Sequence, residues 1–212
     1  MMKLQKAIQI GKIKTSKIEL IDITKAWVAI SLAFALAFSG FNLFNGKLFN
    51  VFSLSFLFFF LISLFTAGIG FLLHELGHKF MAQRYGCVAE FRAFDQMLYL
   101  AVGLAAVVGF IFAAPGAVMI QGMITKKENG IISLAGPLTN YILAFIFLGL
   151  TFLYPIWNFV WMIGFQINMW LGIFNLIPFG NFDGRKIFNW SRNIWGLMLL
   201  FGFASFYLMN FI

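Results

Sequence analysis

Long apolar stretches separated by short polar breaks run along most of this chain, and their lengths predict membrane spans rather than the half-apolar elements of a soluble core. Ala26 to about Phe44 is a run of roughly nineteen mostly apolar residues, enough to cross a hydrocarbon layer of about 30 Å at 1.5 Å per residue. After a polar turn at Asn45, Gly46 and Lys47, the segment Phe52 to Arg84 is longer than one span needs. It predicts a single long helix with Gly68 and Gly70 as weak points. Leu98 to about Ala114 is apolar again and ends at Pro115-Gly116. Leu138 to Tyr154 and Ile156 to Leu176 are two further spans separated by little more than Pro155, so they are expected to be antiparallel neighbours. Ile194 to Ile212 is the last span.

Between these stretches the pattern changes. Residues 1–25 carry Lys3, Lys6, Lys12, Lys14, Lys17 and Lys25, and the alternation of Ile18 and Leu20 with Glu19 and Ile21 predicts a small strand pair at the membrane surface. From Gly86 to Gln96, Glu90, Arg92, Asp95 and Gln96 alternate with Ala89, Phe91, Ala93 and Phe94, which predicts an extended, half-buried segment. Ala117 to Leu134 predicts a hairpin about the Asn129-Gly130 turn. Ile177 to Arg192 is a polar, glycine-containing interruption. No internal repeat or second soluble domain is visible. The expected fold is an all-α polytopic membrane protein with about five transmembrane helices, one re-entrant or interfacial apolar segment, and small β-hairpin elements at the cytoplasmic face. Its expected organisation is a basic cytoplasmic segment, 1–25, followed by a single membrane-embedded domain, 26–212.

Composition agrees with this reading, since 62% of residues are hydrophobic and only 10% charged, against about half and about a quarter in soluble domains. A net charge of +8 would suit nucleic acid, but the basic residues sit in short loops beside apolar runs without aromatic interleaving. Membrane orientation accounts for them, and no nucleic-acid partner is expected. Cys87 is the single cysteine, so no intramolecular disulfide forms, and it reads as a packing residue.

The chemistry concentrates at His74-Glu75-Leu76-Gly77-His78, which holds both histidines of the chain. One helical turn apart, the two imidazoles point from one face and can reach one tetrahedral metal, while the Glu between them can address water at that metal. A charged Glu this close to a membrane interior costs about 2.5–3.5 kcal/mol, so it needs a reason to be there. A catalytic zinc takes three protein ligands and keeps a position open. Asp183, in the stretch Asn175-Leu176-Ile177-Pro178-Phe179-Gly180-Asn181-Phe182-Asp183-Gly184, is the best candidate for the third, because Pro and Gly break the helix there. Asp95 and Cys87 are weaker alternatives. A further alternative has Asp183 capping a helix that starts near Lys186. The other acidic residues mostly fall in expected surface loops.

His74 to His78, then Gly136-Pro137-Leu138-Thr139-Asn140, then Asn175 to Gly184 resemble, in order, the three signatures of the site-2 protease family of intramembrane zinc metalloproteases. The resemblance extends from about Phe71 to Lys186. It implies hydrolysis of peptide bonds within or near transmembrane helices of other proteins, with one Zn2+ per chain. It implies His74, His78 and Asp183 as zinc ligands, Glu75 as general base and acid, and Asn140 with Asn175 as polar groups near the substrate carbonyl. Arg185 departs from the pattern, since many members carry a second glycine after Asp-Gly, and no PDZ-like or nucleotide-sensing domain is expected. Asn140 and Asn175 are alternatively interhelical hydrogen-bonding residues.

Basic residues near span ends mark the cytoplasmic side. Apart from Lys47, all of them can lie on one face if Leu98 to Ala114 does not cross. Full crossing would put Lys126 and Lys127 outside and Asp183 across the membrane from His74. The expectation is a multi-pass protein of the plasma membrane with the N-terminus and active site toward the cytoplasm, partnered by the lipid bilayer and by transmembrane or membrane-associated protein substrates. The alternative function is a non-proteolytic metal-binding transporter or helix-binding scaffold, with Gln166 and Asn168 lining a path.

Overall fold

The computed structural model describes residues 8–10, 13–41, 51–109 and 116–209. Lys3, Lys6, Lys12, the turn at Asn45 to Lys47, and Pro115 lie outside the described residues. The protein is mostly helical, with two small two-stranded sheets. Three helices are long and apolar enough to cross a membrane: Lys17–Phe38 with 22 residues, Leu54–Arg84 with 31 and Lys126–Leu153 with 28.

Strand β1 (Ile8–Ile10) pairs antiparallel with β2 (Ile13–Thr15), Ile8 opposite Thr15. This strand pair lies earlier than the alternation predicted, because Ile18 to Ile21 belong to helix α1 (Lys17–Phe38). The reason is local: the Ser16 hydroxyl accepts the Glu19 N–H at 3.1 Å, an N-cap that turns the chain helical before the alternation can be used. The long helix expected after Phe52 is present as α2 (Leu54–Ser63), a π turn (Leu64–Gly68) and α3 (Ile69–Arg84). The π turn ends at Gly68, one of the two weak points. The carbonyl of Leu64, where the turn starts, accepts the Trp27 indole N–H at 2.9 Å.

The extended segment is β3 (Val88–Ala93), which pairs with β4 (Gly116–Gln121). The hairpin predicted over Ala117 to Leu134 does not form. Helix α5 (Lys126–Leu153) instead takes Asn129 and Gly130 into its first turns. A capping box overrides the turn dipeptide: the Thr125 hydroxyl accepts the Glu128 N–H at 3.2 Å, and the Glu128 carboxylate accepts the Thr125 N–H at 2.7 Å. Between the two strands, α4 (Asp95–Val108) has 14 residues. At 1.5 Å per residue it is about 21 Å long, short of the roughly 30 Å of a hydrocarbon core.

The chain forms two compact units, one within Met1–Leu72 and Glu90–Met119, the other Leu73–Ala89 with Ile120–Ile212. In the first, α1 packs on α2 and α4, and Ala33, Leu36 and Ala105 are buried together. Acidic residues are expected mostly in surface loops, but two of this unit, Glu19 and Glu90, are buried. Buried Glu19 accepts the Phe91 N–H at 2.8 Å and the Thr15 hydroxyl at 2.7 Å. Buried Glu90 accepts from Ser16 and from Arg92. These carboxylates tie the α1 start to β3, and a carboxylate buried without such partners would cost far more than the roughly 2–7 kcal/mol of an unpaired amide or hydroxyl.

In the second unit α5 packs along α6 (Asn158–Asn175) and α7 (Asp183–Trp190), and α8 (Arg192–Leu208) packs on both. One tight turn, Pro155–Trp157, links α5 to α6, the short connection that makes them antiparallel neighbours. Tyr141, Ala144, Phe147, Phe165, Met169, Ile173, Leu176 and Ile187 form the core between these helices. The start of α7 is pressed on the end of α6. A Cβ at Gly184 would collide with the carbonyls of Leu176 and Ile177, so only glycine fits after Asp183.

Candidate metal centre

Helix α3 presents His74 and His78 one turn apart, with ring centroids 4.7 Å apart and both side chains buried. Each imidazole is held at Nδ1 by α5. His74 Nδ1–H donates to Asn140 Oδ1 at 2.5 Å, and His78 Nδ1–H donates to the carbonyl of Ile132 at 2.8 Å. Pro137 lies inside α5 and cannot donate to Ser133, interrupting the backbone ladder in this stretch. With Nδ1 protonated, Nε2 of each ring carries the lone pair, and both Nε2 atoms converge on one carboxylate oxygen. Asp183 Oδ2 is 3.2 Å from His74 Nε2 and 3.0 Å from His78 Nε2.

Asp183 is the first residue of α7, and its side chain does not cap that helix. The alternative of a capping Asp183 is therefore not what the geometry displays. Lys186 Nζ lies 3.8 Å from the other Asp183 oxygen, Oδ1.

The donor set fits zinc. Two imidazole nitrogens and a carboxylate oxygen are its preferred ligands, and bonds of 2.0–2.2 Å at tetrahedral angles separate ligand atoms by roughly 3.3–3.6 Å. The observed separations of 3.0 and 3.2 Å from Asp183 are close to that. Helix α5 also lies hard against both rings, since a Cβ added at Gly136 would collide with Nε2 of both His74 and His78. Among the described residues, His74, His78 and Asp183 form the group of metal-ligating side chains that could hold an ion, their ligand atoms lying within 4.8 Å of one another.

The other candidates fall elsewhere. Glu75 is half-buried on α3 between the two histidines. Asn175, the last residue of α6, donates its amide to the Leu171 carbonyl at 2.9 Å, a contact with its own helix. Asp95 is spent on an exposed ion pair with Lys25 at 3.3 Å, and Cys87 is buried with its sulfur against Gly122. Sequence reasoning missed the Ile132 carbonyl, to which no pattern points, and the place of Asn168. That residue is fully buried and donates nothing to a path: its Oδ1 accepts from Asn140 Nδ2 at 3.2 Å. An Asn in the middle of an apolar helix was the available signal.

No family model matches the chain, and no solved structure matches it. Three curated proteins do. The chain is 39% identical over 187 residues to a protein of Methanocaldococcus jannaschii provisionally named zinc metalloprotease MJ0611, a match covering 86% of this chain and 90% of the relative. It is 33% identical over 130 residues to the provisionally named zinc metalloprotease Rip2 of Mycolicibacterium smegmatis, covering 53% of this chain and 50% of the relative. It is 26% identical over 159 residues to zinc metalloprotease MJ0392 of M. jannaschii, covering 65% and 41%. These names favour a zinc-dependent protease over a transporter or scaffold. With a buried His-His-Asp group suited to zinc and a relative matched along 90% of its length, this chain belongs to the site-2 protease family of zinc metalloproteases.

Proposed function

We propose that the protein is an intramembrane endopeptidase that hydrolyses peptide bonds within or near transmembrane helices of membrane-protein substrates. The observation that carries this reading is the convergence of His74, His78 and Asp183 beside helices apolar enough to cross a bilayer. His74, His78 and Asp183 hold one zinc ion. Zinc bound there supplies Lewis acidity toward water and toward a peptide carbonyl. Glu75 takes the proton of the attacking water and returns it to the leaving amine. Asn175, the last residue of α6, addresses the substrate carbonyl. Asn140, whose amide already engages His74, is better suited to orienting that ring than to the direct substrate contact its motif implies.

The topology that goes with this function has about five spans, α1, α2 with α3, α5, α6 and α8, in one membrane-embedded domain over 26–212 after the basic segment 1–25. Helix α4 stays on one side as a re-entrant or interfacial segment, for which its length of 14 residues speaks. The N-terminus and the metal centre then face the cytoplasm of a plasma membrane. Substrate helices must unwind locally before attack, because helical carbonyls are hydrogen-bonded and hindered.

The test uses purified full-length protein in detergent with a fluorescent single-span transmembrane peptide. Release of an N-terminal fragment that a zinc chelator blocks and added zinc restores is the expected result. Cleavage that persists in excess chelator, or cleavage of soluble casein but never of the transmembrane peptide, overturns the reading.

A further inference from the structure

A line of buried hydrogen bonds runs from His74 into α6. His74 Nδ1–H donates to Asn140 Oδ1 at 2.5 Å, Asn140 Nδ2 donates to Asn168 Oδ1 at 3.2 Å, and Asn168 Nδ2 donates to the Gly164 carbonyl at 2.9 Å. Asn140 and Asn168 are both 0% exposed, so no bulk water competes for these bonds.

The order of the bonds matters more than their number. A side-chain amide can face a neighbour with its oxygen or with its nitrogen, and an amide that turned around at Asn140 would present N–H to His74. The imidazole would then have to accept at Nδ1 and carry its proton on Nε2, the atom that faces Asp183 at 3.2 Å. A protonated Nε2 cannot bind a metal. The orientation of Asn140 is therefore decisive, and Asn168 decides it. A backbone carbonyl only accepts, so Gly164 draws the nitrogen of Asn168. That leaves Asn168 Oδ1 toward Asn140, which draws the nitrogen of Asn140. What remains for His74 is the Asn140 oxygen.

We propose that Asn168 is a positioning residue that fixes the Nδ1-protonated tautomer of His74 through the Asn140 amide. This rests on the reading of His74 as a zinc ligand. It also explains why a fully buried Asn occupies the middle of an apolar helix, where an apolar side chain of like volume would pack without needing partners.

The experiment measures Zn2+ affinity by competition with a chelating dye, on full-length protein in detergent, for wild type, Asn168→Leu, Asn140→Leu and the double variant. Thermal unfolding is followed alongside. Loss of an outer partner of a metal ligand weakens the metal by about 10–100-fold, and Asn168→Leu is expected near the low end, about tenfold. Because Asn168 acts through Asn140, adding Asn168→Leu to Asn140→Leu should weaken zinc no further. A role in helix packing alone would instead lower the unfolding temperature while leaving zinc affinity as in wild type, and that result overturns the proposal. So does an equal further loss in the Asn140→Leu background. Should Asn168→Leu not fold, Asn168→Ser runs the same cycle, since its hydroxyl is too short to meet the Asn140 amide. If wild type binds no zinc, or His74→Ala binds it as tightly as wild type, the underlying reading fails; wild-type affinity in Asn168→Leu with loss in His74→Ala sinks this inference alone.

Discussion

Gly136 of α5 lies so close to His78 of α3 that a single added methyl would collide with its Nε2 and Cε1 atoms. The same methyl would strike Nε2 of His74. Helix α5 therefore does more than carry partners for the two rings, since it also packs against them so closely that a side chain at Gly136 would displace them. Gly136→Ala should weaken zinc by about 10–100-fold, the scale of other changes just outside a metal's ligands, with helical content retained. Dye competition and far-UV circular dichroism measure the two, and undiminished zinc binding would show that the close fit of α5 against the two rings does not set their place at the ion.

Asp183 is the proposed ligand drawn from furthest along the chain. Asp183→Ala should lose zinc by more than about 100-fold, exceeding the cost of an outer-shell change, and metal analysis of the purified variant beside wild type reads this directly. Retention of one zinc per chain would return Asp95 or Cys87 to consideration, although both are engaged elsewhere.

Glu75 is proposed to carry the proton transfers rather than to hold metal. Glu75→Gln should keep its zinc and cut transmembrane peptide about 100- to 10,000-fold more slowly, the usual contribution of a general acid–base group. Cleavage at the wild-type rate by purified Glu75→Gln would remove Glu75 from the mechanism.

The proposed topology puts the start of α5 on the cytoplasmic side. Lys126 is exposed, so Lys126→Cys in a Cys87→Ser background is open to a membrane-impermeant maleimide. No labelling is expected in intact cells and full labelling after permeabilisation. Labelling in intact cells would mean that the segment containing α4 crosses.

Much of this architecture was legible because membrane helices must bury apolar length and satisfy their own backbone, which leaves a strong signal in a single sequence. The long helix into Arg84, the tight link at Pro155 and the extended stretch before Asp95 all follow from such patterns. The errors fall where two local signals compete. At Ile18 to Ile21 a short alternation lost to the Ser16 cap, and at Asn129-Gly130 a turn dipeptide lost to the Thr125–Glu128 capping box. In both places the capping residues were visible in the sequence, but their precedence was not.

The sequence by itself determined the chemistry on offer: two histidines at helical spacing, a glutamate between them, and an aspartate at a helix break far downstream. Spacing along one helix is a local property, so the pair on α3 could be read directly. Only the tertiary structure decided how the site is finished. It sets Asp183 at 3.0 and 3.2 Å from the two Nε2 atoms, commits the Ile132 carbonyl and Asn140 to the two Nδ1 atoms, and joins Asn168 to Asn140. Those contacts join helices α3, α5, α6 and α7, and which carbonyl or amide meets which ring depends on how the helices cross and rotate, which no pattern within a single helix specifies.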